Sequence, residues 1–152
     1  METQPQTASA RAYSLPISRK HAVEIGNFIR SKPLAKAKLH LLRVSKLKEA
    51  VPALRFKRDR PHRKGHMATG IYPIKASTYV LHLLESAEKN AQQKGLDVSS
   101  LIVSYYSADK GETRYHYGRR HRAMRRTHVT VEVTAVALKK KQAPSKKGDQ
   151  KP

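Results

Sequence analysis

Two runs with strand-like alternation, residues 101–107 and 128–136, are separated by a stretch that cannot bury itself. Residues 109–127 hold Lys110, Arg114, Arg119, Arg120, Arg122, Arg125 and Arg126 and almost no aliphatic side chain. Ordinary hairpin loops have ~2–5 residues, so a connection this long inside a small domain is either functional or disordered. If the two strands stay paired beyond the core, about nine residues per arm at ~3.4 Å each carry the tip ~30 Å outward. An isolated two-stranded ribbon is marginal in water, and guanidinium groups this dense repel one another, so the arm needs a polyanion around it to become ordered. Each Arg presents a flat fork of donors that suits phosphates, and Tyr115, His116, Tyr117 and His121 can stack on unpaired bases. Gly118 supplies the positive φ of a sharp tip. A run of charge by itself is most often a solvated face. Seven cations, four stackable rings and two strong flanking strands together point to nucleic acid, RNA foremost.

Composition reinforces this. The 152 residues contain 32 Lys plus Arg against 11 Asp plus Glu, a formal charge of +21, with an isoelectric point near 10.6. Such an imbalance attracts nucleic acid or anionic membrane non-specifically and steers association over long range. There is no Cys, which excludes disulfides, thiolate zinc sites and catalytic thiols. No apolar run approaches the ~20 residues that span a bilayer. The start, Met1-Glu-Thr-Gln-Pro-Gln, lacks the pattern of a secretory leader, so the chain is expected to stay where it is made. Two Phe and no Trp are poor anchors for a membrane-surface helix.

Along the chain, residues 1–10 are polar and are expected to form a disordered tail. Tyr13, Leu15 and Ile17 then alternate with Ala12, Ser14 and Pro16 as a short strand, at a sheet edge because Pro16 donates no ladder bond. Ser18 is a suitable N-cap for a first helix carrying Ala22, Ile25, Phe28 and Ile29 up to about Arg30. Pro33 suits the first turn of a second helix, with Leu34, Ala37, Leu41 and Val44 as its buried stripe. Residues 51–70, punctuated by Pro52, Pro61, Gly65 and Gly70, read as an extended basic loop. A third helix follows Tyr72-Pro73, with Ala76, Tyr79, Val80, Leu83, Leu84, Ala87 and Ala91 on one face and Gly95 as its left-handed stop. In the first long strand Leu101, Val103 and Tyr105 share one face and Ile102, Ser104 and Tyr106 the other. Its partner puts Val129, Val131, Val133 and Ala135 inward. The sum is an α+β domain over residues 11–138, three helices packed on a small antiparallel sheet with a long extended β-hairpin at about 107–128. The basic tail 139–152 has nothing to bury and is expected to be disordered.

Further cations cluster in two places. The loop carries Arg55, Lys57, Arg58, Arg60, His62, Arg63 and Lys64, which would position the protein on phosphates without reading sequence. Arg19, Lys20 and His21 crowd the first turn of the first helix, with Arg30 and Lys32 at its far end and Lys75 at the start of the third. Cations at a helix N-terminus oppose the macrodipole, so they serve something other than helix stability, and phosphate binding would supply it. The spacing of His62 with His66 and of His116 with His121 is loosely ligand-like, but each pair sits among Arg and Lys without Cys or paired carboxylates, and no metal or other cofactor is expected. Ser18, Ser104 and Ser107 lack the context of a nucleophile, and Asp59, Asp97, Asp109 and Glu112 read as turn formers or charge partners, so no enzyme is expected. Asn90 reads as a packing or capping hydrogen-bonder.

Several strings, in this order, resemble the universal large-subunit ribosomal protein family numbered twenty-two, in its archaeal form. They are Leu15-Pro-Ile-Ser-Arg-Lys-His-Ala-Val-Glu-Ile25, Arg58-Asp-Arg-Pro-His-Arg-Lys-Gly65, Gly70-Ile-Tyr-Pro73, Ser86-Ala-Glu-Lys-Asn-Ala-Gln-Gln-Lys-Gly-Leu-Asp97 and His128-Val-Thr-Val-Glu-Val133. The resemblance implies a cytoplasmic protein on the outer surface of the large ribosomal subunit near the polypeptide exit tunnel, bound to 23S-type ribosomal RNA. It further implies a hairpin reaching inward, with residues 115–121 nearest the tunnel constriction. Neighbouring ribosomal proteins and the nascent peptide would be further contacts, with no membrane and no homo-oligomer. The family's hairpin stretch Pro-Arg-Ala-x-Gly-Arg-Ala is echoed here only by Gly118-Arg119 and Arg122-Ala123, and the arm is several residues shorter. The competing readings are a free-standing DNA- or chromatin-binding protein and a transient RNA chaperone. The first would want basic residues along an exposed recognition helix, whereas the charge here lies mainly in loops, tails and a helix terminus.

Overall fold

The computed structural model describes residues 7–56, 58–65 and 67–135. The elements run β1 (Thr7–Leu15), α1 (Arg19–Ile29), α2 (Leu34–Ser45), β2 (Val51–Pro52), β3 (Gly70–Ile71), α3 (Ile74–Gln93), β4 (Leu101–Lys110), β5 (Arg114–Tyr115), β6 (Ala123–Met124) and β7 (Thr127–Ala135). A single 3₁₀ turn, Val98–Ser100, leads into β4. The expected α+β architecture is present: three helices on an antiparallel sheet of order β1-β7-β4.

β7 sits centrally because its alternation is the cleanest in the chain. Val129, Val131 and Val133 are buried while Thr130, Glu132 and Thr134 are only partly covered. Opposite them β1 offers small residues, Ala8 paired with Val133 and Ala10 with Val131. Those alanines leave room for α3, which lies against β1 and is tied to it by Asn90 Nδ2 donating to the Ser9 carbonyl (2.8 Å) and Lys94 Nζ to that of Thr7 (2.8 Å). Asn90 is thus a hydrogen-bonder between layers, as expected. On the helices the stripes Ala22, Ile25, Ile29, then Leu34, Ala37, Leu41, Val44, then Ala76, Val80, Leu83, Leu84, Ala87, Ala91 close one core. Each fully buried Ile or Leu there contributes ~1.5–3 kcal/mol by leaving water. α3 ends as its glycine predicts, with Gly95 at φ 72° and Leu96 N donating to the Ala91 carbonyl (3.0 Å).

The outer edge of β4 is covered near its start. The α1–α2 link docks there, with Ser31 N on the Val103 carbonyl (2.9 Å), Val103 N on that of Lys32 (3.1 Å) and a bridge from Pro33 to Ile102. Covering the edge removes a template for unwanted strand pairing.

Two expectations are corrected. Residues 7–10, read as tail, form the first half of β1, and the strand ends at Leu15, before Ile17. Their polar, small composition hides a strand because α3 needs alanine rather than branched residues beneath it. In β4 the face assignment fails after Val103. Val103 pairs with Val133 but Tyr105 with Glu132, so Ser104 is an extra residue, a β-bulge. The bulge switches the parity, exposing Tyr105 and burying Tyr106. Ser104 Oγ donates to the Glu132 carbonyl at 3.1 Å. Residues 1–6 and the expected basic tail at 139–152 lie outside the described residues.

Candidate nucleic-acid interface

The hairpin departs from the sheet with its strands still paired. Beyond the Lys110–Thr127 pair, Gly111 N donates to the Arg126 carbonyl (2.9 Å), Arg114 pairs with Met124, Tyr115 with Ala123, and His116 N donates to the Arg122 carbonyl (2.8 Å). Residues 117–121 make the tip, where Gly118 (φ 107°) and His121 (φ 37°) turn the chain and His121 N reaches the Gly118 carbonyl at 3.2 Å. Residues 112–123 are all exposed, and Tyr117 is wholly so. Arg114, Arg119, Arg120 and Arg122 therefore share the arm with Tyr115, His116, Tyr117 and His121, with only Glu112 as an acidic neighbour, 3.5 Å from Arg114. A ribbon so exposed contributes nothing to the core cluster and is marginal on its own.

The root is better fixed. Arg126 Nη1 donates to the Ser14 carbonyl (3.0 Å), and Ser14 N donates to His128 Nδ1 (3.1 Å). Thr127 Oγ1, fully buried, donates to the Ile17 carbonyl (2.9 Å). Arg126 thus braces the base of the arm on the end of β1 as well as presenting charge.

Three clefts gather the remaining cations. The first, about 390 Å³, lies between the start of α1 and the hairpin root and is lined by Arg19, Lys20, Lys110, Arg125 and Arg126, with no acidic side chain among its walls. The second, about 370 Å³, runs between α1 and β4 and holds Arg19, Arg30 and Arg55 opposite Asp109. Arg30 is oriented there by donating to the Tyr106 carbonyl (3.0 Å). In the third, at the meeting of the α1 and α3 starts, stand His21, Lys75 and Arg125. Neither α1 nor α3 has an acidic residue in its first turn, so both N-terminal dipole ends stay uncompensated beside these cations. Positive side chains, the positive ends of two helix dipoles and open clefts together suit phosphate oxygens.

The basic loop stands on the β2–β3 ladder, locked by Ala53 N on the Thr69 carbonyl (3.0 Å) and Thr69 Oγ1 on that of Ala53 (3.1 Å). Arg58, Arg60, His62, Arg63 and Lys64 are exposed on it, with Arg63 over the Tyr72 ring at 5.6 Å. Lys57 and His66 lie outside the described residues. Lys32 lines none of the three clefts. Its ammonium sits 3.8 Å over the Phe28 ring, and burial holds it below the ordinary lysine range, partly offset by the charge of Glu49.

Two residues that the sequence did not single out support this surface. Glu24 is buried within α1, and its carboxylate accepts from Leu54 N (3.1 Å) and Arg55 N (2.9 Å), then from Phe56 N. Phe56 is surrounded by Arg55, Lys20 and Arg19 at 5.3, 5.7 and 6.0 Å from its ring centre. The available signal was that Glu24 is the sole acid of a basic helix, but its partners lie thirty or more residues downstream. Among the described residues, no three His, Cys, Asp or Glu side chains converge on one point, and no helix is long and apolar enough to cross a membrane.

Comparison with known proteins gives the family of this fold. A sequence model of the family described as ribosomal protein L22p/L17e matches residues 10–137. Among similar proteins, the large ribosomal subunit protein uL22 of Methanococcus aeolicus is 45% identical over 116 residues, covering 74% of this chain and 76% of that protein. Its namesake in Archaeoglobus fulgidus is 42% identical over 118 residues, covering 76% of each. The uL22 of Nanoarchaeum equitans is 41% identical over 149 residues, 92% of this chain and 83% of that one. These relatives are archaeal, as the resemblance implied. The match runs from within β1 through the end of β7, and the chain belongs to the ribosomal protein L22p/L17e family of the large ribosomal subunit.

Proposed function

We propose that this chain is a structural constituent of the cytoplasmic large ribosomal subunit that binds and braces 23S-type ribosomal RNA near the polypeptide exit tunnel. Its hairpin would line the tunnel wall, with residues 115–121 innermost. The observation that carries the reading is the joining of one exposed, nearly acid-free arm to a root cleft in which Arg19, Lys20, Lys110, Arg125 and Arg126 converge.

The mechanism is electrostatic and architectural. Folded RNA brings phosphates close together, and cations fixed on a rigid domain neutralise them without paying the full cost of ordering themselves. Arg126 and Arg30, each already hydrogen-bonded to backbone, are the best prepared. The arm differs, since it offers charge and rings but gains its shape from the RNA around it. The loop cations Arg58, Arg60, Arg63 and Lys64 extend the phosphate contact, and neighbouring proteins and the nascent peptide would meet the remaining surface. No reaction is catalysed in this role.

Co-sedimentation tests the reading. Stoichiometric recovery of the protein with salt-washed large subunits is expected. Recovery with chromosomal DNA, and none with subunits, would replace it by a DNA-binding role.

A further inference from the structure

We infer that Glu24 is a positioning residue for RNA binding: its buried carboxylate clamps the backbone of residues 54–56 so that Arg55 and Phe56 meet Arg19 and Lys20 as one preset cationic surface. The inference rests on the RNA-binding reading above and adds a part to it.

The geometry begins with an accounting of backbone donors. β2 ends at Pro52, and Ala53 N is the last amide of the segment bonded across to the β3 strand side. The next three amides, of Leu54, Arg55 and Phe56, all turn to the carboxylate of Glu24, a residue 1% exposed. A carboxylate taken out of water is costly unless its lone pairs are filled, and charge-assisted bonds from three successive N–H groups fill them. The helix that supplies this carboxylate also supplies Arg19 and Lys20, one turn or slightly more toward its start. One side chain therefore joins two segments that are distant in sequence and fixes the distance between their cations. Without it, Arg55, Arg19 and Lys20 would repel one another around the Phe56 ring, and the loop would be free to swing away. Arg19 and Arg55 also share the cleft between α1 and β4, so the clamp sets the spacing of charge along that cleft.

A purely structural role and a positioning role predict opposite signs. Glu24→Gln or Glu24→Ala raises the formal charge by one, from +21 to +22. Charge alone would then tighten RNA binding. Loss of positioning would weaken it and flatten its salt dependence, because fewer phosphates would be neutralised at once.

The experiment measures binding of the full-length protein to large-subunit ribosomal RNA fragments across a salt series, with folding of each variant confirmed by thermal unfolding. Glu24→Ala is expected to bind ~10-fold more weakly, with the slope of log K against log salt reduced by the equivalent of about one or two contacts. Arg55→Ala should cost affinity in the parent chain but little more in the Glu24→Ala background, whereas Arg122→Ala, on the arm, should cost the same in both. If Glu24→Ala does not fold, Glu24→Gln, which keeps the shape and one acceptor oxygen, carries the same cycle. Unchanged or tighter binding by the folded variant, with the Arg55→Ala cost undiminished, overturns the inference and leaves the RNA reading standing. A parent chain that shows no salt-dependent RNA binding overturns the RNA reading itself.

Discussion

At the scale of single residues, the contact between Gly26 and Tyr106 sets how closely α1 lies on the sheet. A Cβ at Gly26 would stand 2.2 Å from Tyr106 Cδ1, and the ring is buried with nowhere to retreat. Gly26→Ala should therefore lower stability by ~1–3 kcal/mol through overpacking, despite alanine's better helix propensity, and a urea midpoint that does not fall would refute the contact's importance. The Tyr106 hydroxyl finds no hydrogen-bond partner among the described residues, so Tyr106→Phe should be neutral or stabilising by up to ~1 kcal/mol. Burial also pushes this phenol well above its ordinary value of 10.0. The neutral ring is favoured in the fold, so its contribution is complete below that value and is lost as pH rises beyond it, where the unfolded chain ionises first. Urea midpoints at about pH 9 and about pH 11 should fall more steeply for the parent than for Tyr106→Phe; parallel falls would contradict this assignment.

At the scale of elements, the hairpin and the domain should be separable. The arm from Glu112 to Arg125 contributes nothing to the core cluster, and the ladder beneath it closes at Gly111 and Arg126. Replacing residues 112–125 by Asn-Gly, which suits a two-residue hairpin turn, should leave unfolding cooperative and the midpoint shifted by no more than ~1 kcal/mol. Loss of cooperativity would show that the arm is part of the folding unit. The opposite holds for β1: removing residues 1–10 takes away Ala8, Ala10 and the acceptors of Asn90 and Lys94, and should cost at least ~2 kcal/mol. Sequence legibility follows the same division. The three helices were readable because their apolar stripes repeat at helical spacing, and β7 because its valines alternate without interruption. The start of β1 was not, since small residues chosen to fit beneath α3 look like tail. The bulge at Ser104 was hidden because nothing in a strand's own sequence marks where its partner loses step. The cationic members of the candidate site were legible one by one, whereas their grouping into clefts and the Glu24 clamp depend on contacts between segments far apart in the chain.

At the scale of the whole molecule, a formal charge of +21 on 152 residues leaves a domain that repels itself until anions surround it. Binding to ribosomal RNA should accordingly be strongly salt-dependent: if six or more phosphates are neutralised, affinity falls by ~10³ to 10⁵ between about 50 and 200 mM salt, by analogy with duplex DNA. A flat response would mean that apolar or hydrogen-bonded contacts dominate instead. On the proposed reading, RNA encloses both the clefts at the arm's root and the exposed rings at its tip. A density map of the large subunit containing this chain tests that most directly. The account predicts residues 112–125 packed against nucleotides along their length; an arm standing in bulk solvent, touching none, would contradict it.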